Sequence, residues 1–158
     1  MPKTLAIALL GLFALVPFMG VPAAQSQAPL DPQKVVTLAD VETLLEGKFP
    51  ARVVEPGIVK YEEVNGPRVV EVSLFPGNDL TGLKVTLIGH GEPVEDVGGL
   101  GDVAIYRPQG GHVMVEQKNK AGDMCWFEVR VYNVEGADSA AATKRLAIDL
   151  ARRGVPRL

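Results

Sequence analysis

The chain has 158 residues, a formal net charge of −3, 47% hydrophobic and 22% charged residues, and one cysteine. That length supports one domain with a full core. A mildly acidic chain without a basic cluster argues against nucleic acid and anionic membranes as partners, and the lone Cys125 excludes an internal disulfide.

Met1-Pro2-Lys3 carries one positive charge, and Leu5 to Met19 is an apolar run interrupted by Pro17. Val21-Pro22-Ala23 then places small residues where signal peptidase cleaves, so residues 1–23 read as a signal peptide. The run falls short of the ~20 apolar residues of a spanning helix, so no stable membrane insertion is expected after cleavage. An anchor that stays uncleaved is the alternative. No cysteine follows the apolar run, which excludes a lipobox. Cleavage after Ala23 leaves 135 residues (158 less 23), and without Lys3 the 16 basic residues become 15 against 19 acidic, a net charge of −4. The expected location is outside the cytoplasm, periplasmic or extracellular.

Residues 24–36 are polar and proline-containing and read as a flexible or extended leader. A single α+β domain is expected over 37–158. Thr37-Leu38-Ala39-Asp40 resembles a capping box with Asp in place of Glu, and Leu38, Val41, Leu44 and Leu45 form one helical stripe that Gly47 ends. Arg52 to Glu55 is a candidate short strand before the Pro56-Gly57 turn. Ile58 to Val64 and Arg68 to Phe75 flank Asn65-Gly66, a strong hairpin signal. A two-residue loop sets Tyr61 opposite Val70 and Val59 opposite Val72 on one face, and Lys60 opposite Glu71 on the other.

After Pro76-Gly77-Asn78, the residues Leu80, Leu83, Leu87 and Ile88 make a helical stripe with Asn78 as N-cap and Gly89 as stop, although alternation also fits a strand. Gly89 to Gly101 reads as a loop. Val103 to Arg107, His112 to Lys118 and Met124 to Asn133 form an antiparallel meander, with Lys118 opposite Met124 across a five-residue loop. Alternation puts Cys125, Phe127, Val129, Val131, Val113 and Val115 on a core face. Met124, Trp126, Glu128, Arg130, Tyr132, His112, Met114 and Glu116 fall on a mixed face, half-covered by a helix or loop with Trp126 near a rim. Asp138 or Ser139 caps a last helix whose stripe is Ala142, Leu146, Ala147, Leu150 and Ala151, and Gly154 and Pro156 stop it. The fold class is α+β: an antiparallel sheet of about five strands covered by helices, in the order α-β-β-α-β-β-β-α.

Gly98 to Gly101 is no phosphate loop, because a strand follows it, no Lys-Ser/Thr is present and the flanks are acidic. Glu92, Glu95, Asp96 and Asp102 match no calcium loop, and His90, His112, Glu116 and Cys125 lack the spacing of a zinc site. No metal and no cofactor is called for. Ser26, Ser73 and Ser139 sit in no nucleophile elbow. The mixed face leaves the candidate binding residues Trp126, Met114, Arg130, Ile105, His112 and Glu128, an aromatic anchor beside Arg in the manner of a binding hot spot.

Leu38-Ala39-Asp40-Val41-Glu42 opening a helix, with Val97-Gly98-Gly99-Leu100-Gly101-Asp102-Val103-Ala104 opening a strand, resembles small exported bacterial domains of unknown function, many of them actinobacterial lipoproteins. The order of elements is similar to the PsbP-like αβα sandwich. The resemblance covers most of residues 35–155 and implies a fold and an exported accessory or binding role, with no catalytic residues. The chain departs from it in lacking the lipobox cysteine. The expected function is therefore a non-catalytic binding or accessory module of the cell envelope, for a protein partner. A carrier of a small apolar ligand between sheet and helix is the second reading, and a hydrolase using the His112/Glu116/Glu128 face the third.

Overall fold

The computed structural model describes residues 31–77 and 79–158. Residues 1–30, where a signal peptide and most of a leader are expected, lie outside the described residues. Within these, seven strands form one antiparallel sheet: β1 Ala51–Glu55, β2 Ile58–Glu62, β3 Val69–Pro76, β4 Glu95–Asp96, β5 Val103–Arg107, β6 His112–Lys118 and β7 Met124–Tyr132. Their order across the sheet is β1-β2-β3-β7-β6-β5-β4. The α+β class with an antiparallel sheet holds. The expected strand count of about five does not, because β1 and β4 add an edge at each end. Pro50 and Pro56 bracket β1, and β4 is two acidic residues in a segment with no periodicity, so neither carries a strong strand signal. The stretch from Gly89 to Gly101 is thus not wholly loop.

The Asn65-Gly66 hairpin has the expected register, with Tyr61 opposite Val70, Val59 opposite Val72 and Lys60 opposite Glu71. Lys60 and Glu71 form an ion pair of 3.0 Å. Lys118 pairs with Met124 as the loop length requires. The pairing that joins hairpin to meander, β3 against β7, runs from Val69↔Tyr132 to Pro76↔Cys125.

Helices cover both faces. On the inner face lie α1 (Pro32–Val35), α2 (Leu38–Leu45) and α4 (Ser139–Gly154). The main core there is built from Val59, Tyr61, Val70, Val72, Val113, Val115, Phe127 and Val129 under Val41, Leu45, Ala147, Leu150 and Ala151. The expected leader gives way here to structure: Asp31 caps α1, and Val35 and Val36 are buried. Val36 is held because the Tyr61 hydroxyl, buried mid-sheet, donates to its carbonyl at 2.5 Å. Thr37 and Asp40 form the reciprocal capping box of α2, with Thr37 N to Asp40 Oδ2 at 2.9 Å.

Four helix ends differ from expectation. The left-handed residue that closes α2 is Glu46 (φ 50°), one place before Gly47. The cap of α3 (Leu80–Gly89) is Asp79, whose carboxylate accepts from Gly82 N at 2.8 Å, and Gly89 stays inside the helix. Gly154 also stays helical and buried: a Cβ there would lie 2.9 Å from Val35 and 3.2 Å from the Phe127 ring. It allows α4 to approach the sheet, and the chain ends in a 3₁₀ turn, Val155–Arg157.

On the outer face α3 packs over β5 and β6, where Leu80 and Leu87 meet Ile105 and Met114. Leu80 to Gly89 is therefore helix and not strand. Among the described residues no helix is long and apolar enough to cross a membrane.

Candidate functional site

The outer face of the sheet is laid out in rows by the strand register. One row crosses five strands as Lys60, Glu71, Arg130, His112 and Arg107. The next holds Ile58, Ser73, Glu128, Met114 and Ile105, and the third holds Phe75, Trp126, Glu116 and Val103. All six candidate binding residues, Trp126, Met114, Arg130, Ile105, His112 and Glu128, thus share one face. Their environments differ sharply. Ile105 and Met114 lie in the cluster beneath α3 and offer no surface.

His112 and Glu128 are only 5% and 4% exposed, and His112 Nδ1 lies 2.9 Å from Glu128 Oε1. Arg130 also bonds Glu128 Oε1 and reaches Glu71 Oε1 at 3.8 Å. Burial pushes the Glu128 carboxyl up, but the hydrogen bonds from His112 and Arg130 outweigh it and hold the group below its ordinary value. An ionised Glu128 accepts, so Nδ1 of His112 carries the proton. The imidazole is closed in by its own loop: a Cβ on Gly110 would fall 2.1 Å from Nε2. Glu116, 8% exposed, accepts the Leu80 amide of α3 at 2.7 Å. His112, Glu116 and Glu128 are therefore engaged in holding the sheet's outer layer together. Ser73, the serine on this face, is buried opposite Glu128 on the neighbouring strand, with Glu128 between it and the histidine strand. A nucleophile needs the histidine next to it, which is the reverse order.

The open part of the face is the aromatic row. Trp126 stacks on Phe75 with centroids 4.7 Å apart and an interplanar angle of 26°. Beside it opens a cavity of about 300 Å³ lined by Asp79, Leu80, Leu83 and Trp126. Sequence reading found Trp126 but missed Phe75, Asp79 and Leu83. Phe75 meets Trp126 only through the β3–β7 pairing, and Asp79 and Leu83 only because α3 folds back over the meander.

The acidic residues between α3 and β5 do not converge. Glu92 pairs with Arg107, Asp96 with Lys84 at 2.5 Å and Glu95 with Lys144, while Asp102 accepts the Lys118 amide at 3.3 Å. Among the described residues no group of three His, Cys, Asp or Glu side chains is placed to hold a metal ion. The Gly98–Asp102 turn packs onto β6, with Leu100 buried and the Asp102 amide donating to the Glu116 carbonyl at 2.9 Å.

A second groove, of about 550 Å³, lies between the start of α4 and the ends of β5 and β7. Tyr106, Pro108, Val131, Val134 and Ala140 line it, and Lys144, paired with Glu95, stands over the Tyr106 ring at 5.3 Å.

No family model matches the chain, and neither the curated proteins nor the solved structures give a match.

Proposed function

We propose that the chain is an exported, non-catalytic binding or accessory module of the cell envelope, and that a protein partner docks on the aromatic end of its outer sheet face. The observation that carries this reading is the half-buried Trp126, stacked on Phe75 at 4.7 Å beside an open cavity. A stacked, partly desolvated aromatic next to a pocket is the arrangement of an interface anchor. Export rests on the N-terminal sequence.

Trp126→Ala separates an anchor from a core residue. An anchor loses ~2 kcal/mol or more of partner affinity while the fold keeps most of its stability. A core residue instead costs ~3–5 kcal/mol of folding stability, from lost transfer energy plus the cavity left behind. A urea titration and capture of partners from envelope extract, each on wild type and variant, give the two numbers. A large stability loss with unchanged capture would overturn the proposal.

The carrier reading is favoured by the groove under α4, whose volume of about 550 Å³ falls in the range of small-ligand sites. Ala140→Trp fills that groove. It blocks ligand uptake if the carrier reading holds and leaves capture through Trp126 unchanged.

A further inference from the structure

The charges around Trp126 point to the chemistry of what it binds. Two carboxylates meet at the start of α3. Asp79 caps the helix through Oδ1, at 2.8 Å from Gly82 N, and Glu116 accepts the Leu80 amide at 2.7 Å. The positive end of a helix amounts to about half a charge, so it offsets only part of these two negative ones. The helix's own cation, Lys84, is turned away and tied to Asp96 on the sheet edge at 2.5 Å. Asp79 is exposed, and its capping bond to the helix uses Oδ1. Asp79 and Trp126 line the same cavity, and Glu116 stands opposite Trp126 in the sheet register. A tryptophan ring with an under-compensated carboxylate at its rim and apolar walls, here Leu80 and Leu83, suits a cation on an aliphatic stem.

We infer that this cavity receives the side chain of an arginine on the protein partner, its stem against Leu83 and Trp126 and its guanidinium at Asp79. The inference rests on the proposed docking at Trp126 and adds the identity of the group that enters. Arginine fits better than lysine because its planar guanidinium both stacks on an aromatic face and forks onto a carboxylate.

Trp126 is the chain's one tryptophan, so its fluorescence reports on this cavity directly. The chain is titrated with a capped pentapeptide carrying a central arginine, with the same peptide carrying citrulline, the neutral isostere, and with butylguanidinium. The expected result is a saturable change with the arginine peptide, at least tenfold weaker binding of citrulline, and weaker binding of butylguanidinium than of the peptide. Asp79→Asn keeps a good helix cap but removes the charge. It is expected to weaken the arginine peptide fivefold or more and leave citrulline unchanged. Equal affinity for arginine and citrulline, or indifference to Asp79→Asn, overturns the inference. Butylguanidinium binding as tightly as the peptide overturns it in favour of a small guanidinium compound. If neither peptide perturbs Trp126 while Trp126→Ala still abolishes partner capture, the inference fails and the docking proposal stands. If Trp126→Ala leaves capture intact, the docking proposal fails and the inference with it.

Discussion

Cys125 sits on the inner side of β7 at 1% exposure, and its thiol lies 3.3 Å from the Gln117 carbonyl of the neighbouring strand. Burial, with the nearby Asp123 charge adding to it, pushes the thiol up from its ordinary value, so little thiolate forms at neutral pH. A thiol reagent attacks the thiolate, and access and charge both work against it here. Native chain should therefore label at least a hundredfold more slowly than chain unfolded in guanidinium, measured with a chromogenic disulfide reagent at one pH. Comparable rates would mean that β7 shows its other side to the core. His112 of β6 and Glu128 of β7 illustrate the outer side of the sheet, where two polar groups are buried because each satisfies the other and Gly110 leaves room for the imidazole. Removing one partner would leave the other buried and unsatisfied, which is the costly outcome.

The elements differ in how firmly their own sequences support them. α4 has a buried stripe of Ala147, Leu150, Ala151 and Gly154 and basic residues Arg152 and Arg153 in its last turn, which suit its dipole. α3 is different: Gly82 and Gly89 and the β-branched Thr81, Val85, Thr86 and Ile88 make a poor helix, and Val85 and Ile88 are exposed at 67% and 55%. It is held from outside, by Leu80 and Leu87 on Ile105 and Met114 and by the Glu116 bond to its first amide. α2 carries a local conflict at its end, where Glu46 takes a left-handed φ of 50°. A residue with a Cβ loses ~1 kcal/mol or more in that conformation, and glycine does not. Glu46→Gly is accordingly expected to raise stability by ~0.5–1 kcal/mol in a urea titration, despite the greater freedom of an unfolded glycine. A loss of stability would show that the helix end is fixed by contacts of the Glu46 side chain.

Across the whole molecule, the two ends of the described chain are joined at Asp40. Its carboxylate caps α2 through Thr37, pairs with Arg157 of the last turn and lies 3.4 Å from Arg153 of α4. Burial pushes this carboxyl up, but the Arg157 and Thr37 hydrogen bonds dominate and hold it well below the usual carboxylate range. Arg157 also donates to the Val35 carbonyl at 2.9 Å, so the same clamp fixes α1. A carboxyl with a depressed folded pKa contributes stability that is complete above its unfolded value of about 3.9 and is lost as pH falls through the folded one. Glu128, shifted in the same direction, adds to this acid sensitivity. Asp40→Asn should lower stability at pH 7 by ~1–3 kcal/mol, the scale of a lost charged hydrogen bond. It should also flatten the decline below pH 4, as followed by circular dichroism in urea. An acid limb as steep as that of wild type would place the titrating groups elsewhere.

How much of this was legible in the sequence follows from how far each contact reaches along the chain. The Asn65-Gly66 hairpin, the Lys118–Met124 register, the Thr37–Asp40 capping box and the two faces of β7 are decided within a few residues by turn chemistry and a period of two, and the sequence by itself determined them. What only the tertiary structure decided are the joins between distant segments: β3 against β7, which sets Phe75 on Trp126, and α3 over β5 and β6, which buries Ile105 and Met114 and brings Asp79 to the cavity. It also decided the fate of β1 and β4, which gain strand form from a neighbour's free edge and not from their own pattern, and of Val35 and Val36, which a polar, proline-containing stretch hides until Tyr61 and Arg157 capture their carbonyls. The physical reason is the same in each case. A backbone group or apolar side chain finds its lowest free energy against whatever surface completes it, and that surface lies dozens of residues away.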